Sequence, residues 1–189
     1  MSNSNPLVSV IIPNYNHARY LDERMQSVLG QTYQNIEVII LDDCSTDNSR
    51  EVIERYRNDP KVTKIVYNDS NTGKPFQQWN KGIELAAGDL IWLAESDDTC
   101  DAEMLERLVK LYMAHDCVYC FCRSLLTYED GTAYGAGNQS MPNEEVEQCW
   151  RGTDFIREKL SVGNVVTNAS SVIFSKAAAL SVDHGFERY

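Results

Sequence analysis

Three carboxylates within four positions, Glu95-Ser96-Asp97-Asp98, follow directly on the apolar run Ile91-Trp92-Leu93-Ala94. An apolar core does not tolerate such charge unpaired, so this run has to end at a surface crevice where a cation or hydrogen-bond donors meet the carboxylates. Two other apolar runs end in comparable clusters. Ile36 to Leu41 runs into Asp42-Asp43, and Leu7 to Ile12 runs into Pro13-Asn14-Tyr15. Together they offer an aromatic surface, carboxylates that accept from a base or a ribose, and a carboxylate pair for a hard cation. Mg²⁺ and Mn²⁺ prefer oxygen ligands and often take only one or two carboxylates, with phosphate oxygens completing the shell. That chemistry suits a nucleoside diphosphate group. Each cluster alone would serve equally as a turn that caps the next helix; the repetition at three run ends favours a ligand.

For the clusters to meet, the runs must be neighbouring strands of one sheet. Leu7–Ile12, Ile36–Leu41 and Ile91–Ala94 are short apolar runs, the last of the kind that forms a buried parallel strand, and Val62–Tyr67 reads as one more strand. Between them lie stretches with helical spacing: Leu21, Met25, Val28 and Leu29, closed by Gly30; Val52, Ile53 and Tyr56, after the N-cap-rich Cys44–Ser49; Phe76, Trp79, Ile83 and Ala86, opened by Pro75; and Met104, Leu105, Leu108, Leu111 and Tyr112, capped near Asp101. The order β-α-β-α-β-α-β-α with short connections predicts an α/β fold: a mostly parallel sheet with right-handed crossovers and helices on both faces, three layers in all. Pro13 is expected to stop the first strand. After residue 117 the rhythm changes. Val118–Thr127 reads as one long strand, with a hairpin partner around Thr132–Tyr134. Gly135 to Cys149 reads as a mobile loop, Thr153–Leu160 as a helix, and Ser170–Phe174 as a strand leading into a helix at Lys176. No domain boundary is evident: residues 1–189 read as a single domain, with a nucleotide half, 1–115, and a more irregular second half, 116–189.

The 189 residues suffice for one full core. A net charge of −11 argues against a nucleic-acid or anionic-membrane surface, and a phosphate site in so acidic a chain needs a metal or local donors. No stretch approaches the ~20 apolar residues of a membrane span. The short polar start, Met1 to Pro6, is no signal peptide, so the expected location is the cytoplasm, with a peripheral place at the inner face of the membrane left open for a full-length protein. The six cysteines are then expected as reduced thiols. Cys117, Cys120 and Cys122 alternate across a strand-like run, a poor tetrahedral set, and read as core thiols. His17 reads as a loop residue, His115 as a partner of a helix C-terminus, and Trp79 and Trp92 as core; Trp150 stands between core and sugar contact.

The stretches VSVIIPNYNHARYLDERMQSVLGQTYQNIEVIILDDCSTDNS and WNKGIELAAGDLIWLAESDD resemble the two signatures of the family-2 glycosyltransferases. The resemblance covers about residues 7–115, and more loosely 116–189. It implies a GT-A fold, a nucleotide-sugar donor of UDP type, a saccharide or lipid-linked acceptor, a divalent metal (Mn²⁺ or Mg²⁺), and inversion at the anomeric carbon. By position, Pro13 and Tyr15 would frame the nucleoside pocket, and Asp42, with Asp43 beside it, would accept from base or ribose. Asn80, Lys81 and Gly82 match the family's N-K-G. Trp79 stands where a basic residue often precedes it, so Lys74 or Lys81 would supply the phosphate-side charge. Glu95 and Asp97 match the outer positions of D-x-D. Asp97 is the expected metal ligand, and Asp98 the residue that orients donor or loop. The resemblance also implies a catalytic base just beyond a segment like Asp183–Tyr189, hence beyond this chain and in a longer enzyme; Glu187 and Asp183 are the local candidates.

Other nucleotide enzymes fit less well. A dinucleotide-dependent oxidoreductase would carry G-x-G-x-x-G after the first strand, and a P-loop NTPase G-x-x-x-x-G-K-[ST]; neither pattern is present. A sugar nucleotidyltransferase would carry a Gly-rich basic loop after the first strand. A noncatalytic nucleotide-sugar-binding module shares every donor-side residue and remains the alternative that a turnover assay separates.

Overall fold

The computed structural model of the protein describes residues 5–128, 131–136 and 147–182. Its first half alternates β1 (Val8–Asn14), α1 (Ala18–Leu29), β2 (Ile36–Asp42), α2 (Ser49–Glu54), β3 (Val62–Tyr67), α3 (Pro75–Leu85), β4 (Leu90–Leu93) and α4 (Met104–His115). The four strands are parallel, with β1 between β2 and β4. Every residue of β1, β2 and β4 is buried, which is why these runs read as continuous rather than alternating. Successive side chains point to opposite faces. Val8, Val10, Ile12, Val38, Ile40, Leu90 and Trp92 pack against Leu21 and Met25 of α1, Ile53 of α2 and Leu105 of α4. On the other face Ile11, Ile39, Leu41, Ile91 and Leu93 meet Ile83 of α3. Helices therefore cover both faces, as expected. The α3 contact is close: a Cβ on Gly82 would stand 2.4 Å from Ile11 Cγ2, so only glycine lets this helix lie down on β1.

The second half completes the sheet. Its strands are β5 (Tyr119–Phe121), β6 (Leu125–Thr127), β7 (Ala133–Ala136) and β8 (Val172–Ser175). The main sheet has the order β3-β2-β1-β4-β8-β5, with β8 antiparallel to both neighbours; β6 and β7 form a separate hairpin. The expected single strand Val118–Thr127 is thus two strands in two sheets. Phe121 is level with Val172, where β8 begins. Beyond it one more backbone bond to this strand is made among the described residues, Cys122 N–H to Ser171 O at 3.0 Å, and the chain leaves the sheet. The expected helix Thr153–Leu160 is α5 (Gly152–Phe155) continued by a π-helical turn, Ile156–Leu160, and α6 (Lys176–Ser181) follows β8. Of the stretch read as a loop, Gly135 and Ala136 belong to β7, and residues 137–146 lie outside the described residues. Among the described residues no helix is long and apolar enough to cross a membrane.

Pro13 does not end β1. The strand runs on through Asn14, with Pro13 level with Leu41. Ile11 O accepts from Ala94 N–H on the β4 side, whereas Asn14 O accepts from Asp43 N–H on the β2 side. Pro13 shares the parity of Ile11, and β4 leaves the ladder at Leu93. The N–H that proline lacks would have pointed where no strand remains to receive it, so the usual objection to proline in a central strand does not apply.

Candidate functional site

The chain lays β1, β2 and β3 outward in one direction and then returns to place β4 on the other side of β1. Strand order reverses there, and open α/β sheets bind ligands beyond the carboxyl ends of the strands at such a point. The three polar clusters converge on this edge.

Asp42 and Asp43 are 2% and 5% exposed. Asp42 Oδ1 accepts from Asn14 Nδ2 at 2.8 Å and Ser45 Oγ at 2.5 Å, and its Oδ2 from Ser45 N–H at 3.0 Å. Asp43 Oδ1 accepts from Asn68 Nδ2 at 2.6 Å and Gln78 Nε2 at 2.9 Å, and Oδ2 from Thr72 Oγ1 at 2.8 Å. Both carboxylates thus fasten loops together at the strand ends, and any nucleoside contact would share oxygens already in use. Lys81, one of the expected phosphate-side charges, donates to Asn68 Oδ1 at 2.7 Å and extends the Asp43 network; Lys74 is exposed at the start of α3, and Asn80 is half-buried within it. Asn16 and Cys44, in the loops after β1 and β2, have φ of 57° and 63°. Asn16 offsets this left-handed geometry: its Oδ1 accepts from Thr46 N–H at 2.7 Å and its own N–H donates to Ser45 Oγ at 2.9 Å. Pro13 is buried within β1, while Tyr15 is 43% exposed.

Glu95 is held from two directions. Its N–H donates to Ser170 Oγ at 2.9 Å, and its Oε1 accepts from Trp79 Nε1 at 2.7 Å. Burial pushes its carboxyl up to about 7, and the neighbouring Asp97 and Asp98 add to this against the Trp79 hydrogen bond and the Arg24 charge. Ser96 is buried, and its Oγ lies 2.8 Å from His17 Nδ1. Asp97 is exposed and takes no hydrogen bond or ion pair among the described residues. Asp98 is half-buried and interacts electrostatically with Arg24.

Arg24, on α1, is fully buried, with its guanidinium 5.2 Å from the centre of the Trp92 ring and its Nη1 3.8 Å from Cys100 Sγ. Burial lowers its pKa, while Cys100, Asp98 and Glu95 oppose that shift. Its Nε and Nη2 find no hydrogen-bond partner among the described residues.

Among the described residues no three of His, Cys, Asp and Glu converge to hold a metal unaided. Asp97 nevertheless fits a site in which Mg²⁺ or Mn²⁺ takes a single carboxylate and draws its other ligands from a diphosphate and water, because its carboxylate is uncommitted. Glu95, engaged by the indole, fits that role less well.

The sequence reading missed four contributors: His17, taken as a loop residue; Arg24, hidden beside Met25 on the inner face of α1; Ser170, which arrives from the second half; and the indole N–H of Trp79. Only Arg24 had a signal, since a cation within the Leu21–Val28 stripe faces the core. Trp92 is core as expected, donating to Ser170 O at 2.8 Å, and Trp150 is exposed with Lys159 Nζ 4.8 Å from the centre of its ring. Among the three cysteines read as core thiols, Cys120 is buried and Cys117 and Cys122 pack against the same core. Asp183 and Glu187 lie outside the described residues.

Known proteins share the family and the fold. Residues 9–174 match the family model described as Glycosyl transferase family 2. The putative teichuronic acid biosynthesis glycosyltransferase TuaG of Bacillus subtilis is 36% identical over 132 residues, covering 70% of this chain and 52% of TuaG. The crystal structure of S. aureus TarS 1-349 in complex with UDP-GlcNAc superposes with a TM-score of 0.70 at 24% identity, over 92% of this chain and 46% of that one. The mannosyltransferase PcManGT from Pyrobaculum calidifontis, in complex with GDP-Man and Mn²⁺, gives 0.57 at 24% identity over 64% and 36%. The matched part spans about half of TuaG and of TarS 1-349.

Proposed function

Because this chain belongs to glycosyl transferase family 2 and has the GT-A fold, we propose that it binds a UDP-type nucleotide-sugar at the β1/β4 edge for transfer of the sugar, with inversion, to a hydroxyl of a saccharide or lipid-linked acceptor. The observation that supports this best is the reversal of strand order between β1 and β4, with Asp97, unpaired among the described residues, in the turn after β4 and the exposed Tyr15 in the loop after β1. The UDP-GlcNAc bound to TarS favours a uridine donor; the GDP-Man bound to PcManGT makes guanosine the alternative to test.

In this reading Tyr15 offers an aromatic face to the base. The Asp42 and Asp43 networks hold the loops after β1, β2 and β3 in place. Asp97 would hold the divalent cation, which when bound supplies Lewis-acid stabilisation of the departing diphosphate. The acceptor oxygen attacks the anomeric carbon from the face opposite the diphosphate, the bond from that carbon to the phosphate oxygen breaks with its electron pair leaving on the diphosphate, and the hydroxyl proton passes to a carboxylate base. Asp183 and Glu187 remain the proposed local candidates for that base.

The test is calorimetric titration of UDP, UDP-sugars and GDP with and without Mn²⁺, on the native protein and on Asp97→Ala. We expect UDP to bind, binding to strengthen with Mn²⁺, and Asp97→Ala to remove that gain while unfolding at an unchanged temperature. Mn²⁺-dependent affinity that persists in a folded Asp97→Ala overturns the metal role. Absence of nucleotide binding to the native protein overturns the function.

A further inference from the structure

We propose that His17 is a positioning residue: through its Nδ1 contact with Ser96 it latches the acidic turn Glu95–Asp98 to the loop that follows β1. The inference rests on the donor-site reading above and adds to it a residue that fixes the geometry of that site.

The turn needs such a latch. β4 leaves the ladder at Leu93, so the last strand-type bond on this side is Ala94 N–H to Ile11 O, at 2.8 Å. Beyond it, among the described residues, the backbone of residues 95–98 has one internal bond, Asp98 N–H to Glu95 O at 3.2 Å, and one from Glu95 N–H to Ser170 Oγ. Those contacts fasten the start of the turn. They leave it to pivot about Glu95, and with it the Asp97 carboxylate, which takes no hydrogen bond or ion pair among the described residues. The adjacent carboxylates Asp97 and Asp98 also repel each other, and Glu95 joins them when it is ionised, which favours opening of the turn.

Ser96 opposes this. It is 2% exposed between two acidic neighbours, and its hydroxyl meets His17 Nδ1 at 2.8 Å across 79 positions of sequence. His17 is itself well held. Its carbonyl accepts from Tyr20 N–H and Leu21 N–H at the start of α1, at 2.9 and 3.2 Å, and its ring packs edge-on against Tyr20 with centroids 5.8 Å apart. The preceding residue, Asn16, is stitched to the loop after β2. The imidazole is therefore a rigid post, anchored on the loop that carries Tyr15, and Ser96 is the point where the acidic turn is tied to it. A hydrogen bond within a pre-organised site serves binding by setting geometry before the ligand arrives.

A latch through Nδ1 has a specific chemical signature. The amide of asparagine places a polar atom near the position of imidazole Nδ1, whereas the longer glutamine places one near Nε2. His17→Asn should therefore restore what His17→Ala loses, and His17→Gln should not. In the free protein, hydrogen exchange is expected to show faster exchange of the Glu95 and Asp98 amides in His17→Ala and in Ser96→Ala, with protection recovered in His17→Asn. For ligand, we expect the affinity for UDP in saturating Mn²⁺ to fall about three- to tenfold in His17→Ala, the worth of one net hydrogen bond. The loss should be no larger in the His17→Ala/Ser96→Ala double variant. Native exchange rates for these amides in His17→Ala overturn the latch whether or not any nucleotide binds. Additive losses in the double variant, or equal rescue by glutamine and asparagine, overturn it too. If the native protein binds no nucleoside diphosphate, the donor-site reading falls by itself, and the exchange experiment still decides the latch.

Discussion

Asp43 accepts hydrogen bonds from Asn68, Gln78 and both the backbone and the hydroxyl of Thr72, so one buried carboxylate joins the end of β2, the loop after β3 and α3. Asparagine at this position would place an NH₂ group against donors. Leaving buried donors unsatisfied typically costs about 1–3 kcal/mol. Asp43→Asn is therefore expected to lower the unfolding temperature and to speed exchange of the Thr72 amide; native stability with native Thr72 exchange would contradict the network. The same residue shows why strand-end carboxylates are ambiguous in sequence. Asp42, Asp43, Glu95, Asp97 and Asp98 all follow apolar runs, yet Asp42 and Asp43 are consumed within the protein while Asp97 takes no hydrogen bond or ion pair among the described residues. What distinguishes them is the partners that other loops deliver.

At the scale of elements, the edge of the sheet opposite the site is fastened by Glu37 of β2. Its Oε1 accepts from Ser9 Oγ and from Ala87 N–H, both at 2.5 Å, and its Oε2 from Thr63 Oγ1 at 2.9 Å. The Ser9 hydroxyl in turn accepts from Gly88 N–H at 2.8 Å, so β1, β2, β3 and the turn before β4 share one carboxylate. Burial alone would raise the Glu37 pKa, but the hydrogen bonds from Ser9, Ala87 and Thr63 and the charge of Lys64 outweigh it and hold the group below its usual 4.5. A depressed carboxylate contributes stability above its unfolded pKa, and that contribution is lost as pH falls through the folded value. Glu37→Gln is accordingly expected to lower the unfolding temperature at pH 7 and to flatten the acid limb below about pH 4.5. Parallel curves for the two proteins from pH 7 down to pH 3 would contradict this.

At the scale of the whole molecule, the two halves interlock. β8 pairs with β4 along Leu90, Ile91 and Trp92, and Ser170, just before it, accepts from Trp92 Nε1 through its carbonyl and from Glu95 N–H through its hydroxyl. Residues 116–182 thus finish the strand from which the acidic turn departs. A polypeptide of residues 1–115 would expose β4 as an apolar edge with the Trp92 indole N–H unpaired. It is expected to lack cooperative urea unfolding and a native near-ultraviolet spectrum. A sharp two-state transition in that fragment would show that the first half folds without its partner.

The fold was largely legible because its information is local. Continuous apolar runs such as Ile36–Leu41, helical stripes such as Leu21-Met25-Val28, Pro75 at a helix start and polar run ends at Asn14, Asp42 and Glu95 specify buried strands, covering helices and the edge that carries the site. The second half was less legible because pairing decides it. Val118–Thr127 has the composition of one strand, and the length of β8, which begins only at Val172, splits it in two. The same holds at the site. The residue types told of carboxylates for a cation and an aromatic for a base. Which carboxylate stays free, where Pro13 can sit within a central strand, and that His17 meets Ser96 follow from which chain segments come to lie side by side, and no local window of sequence contains that.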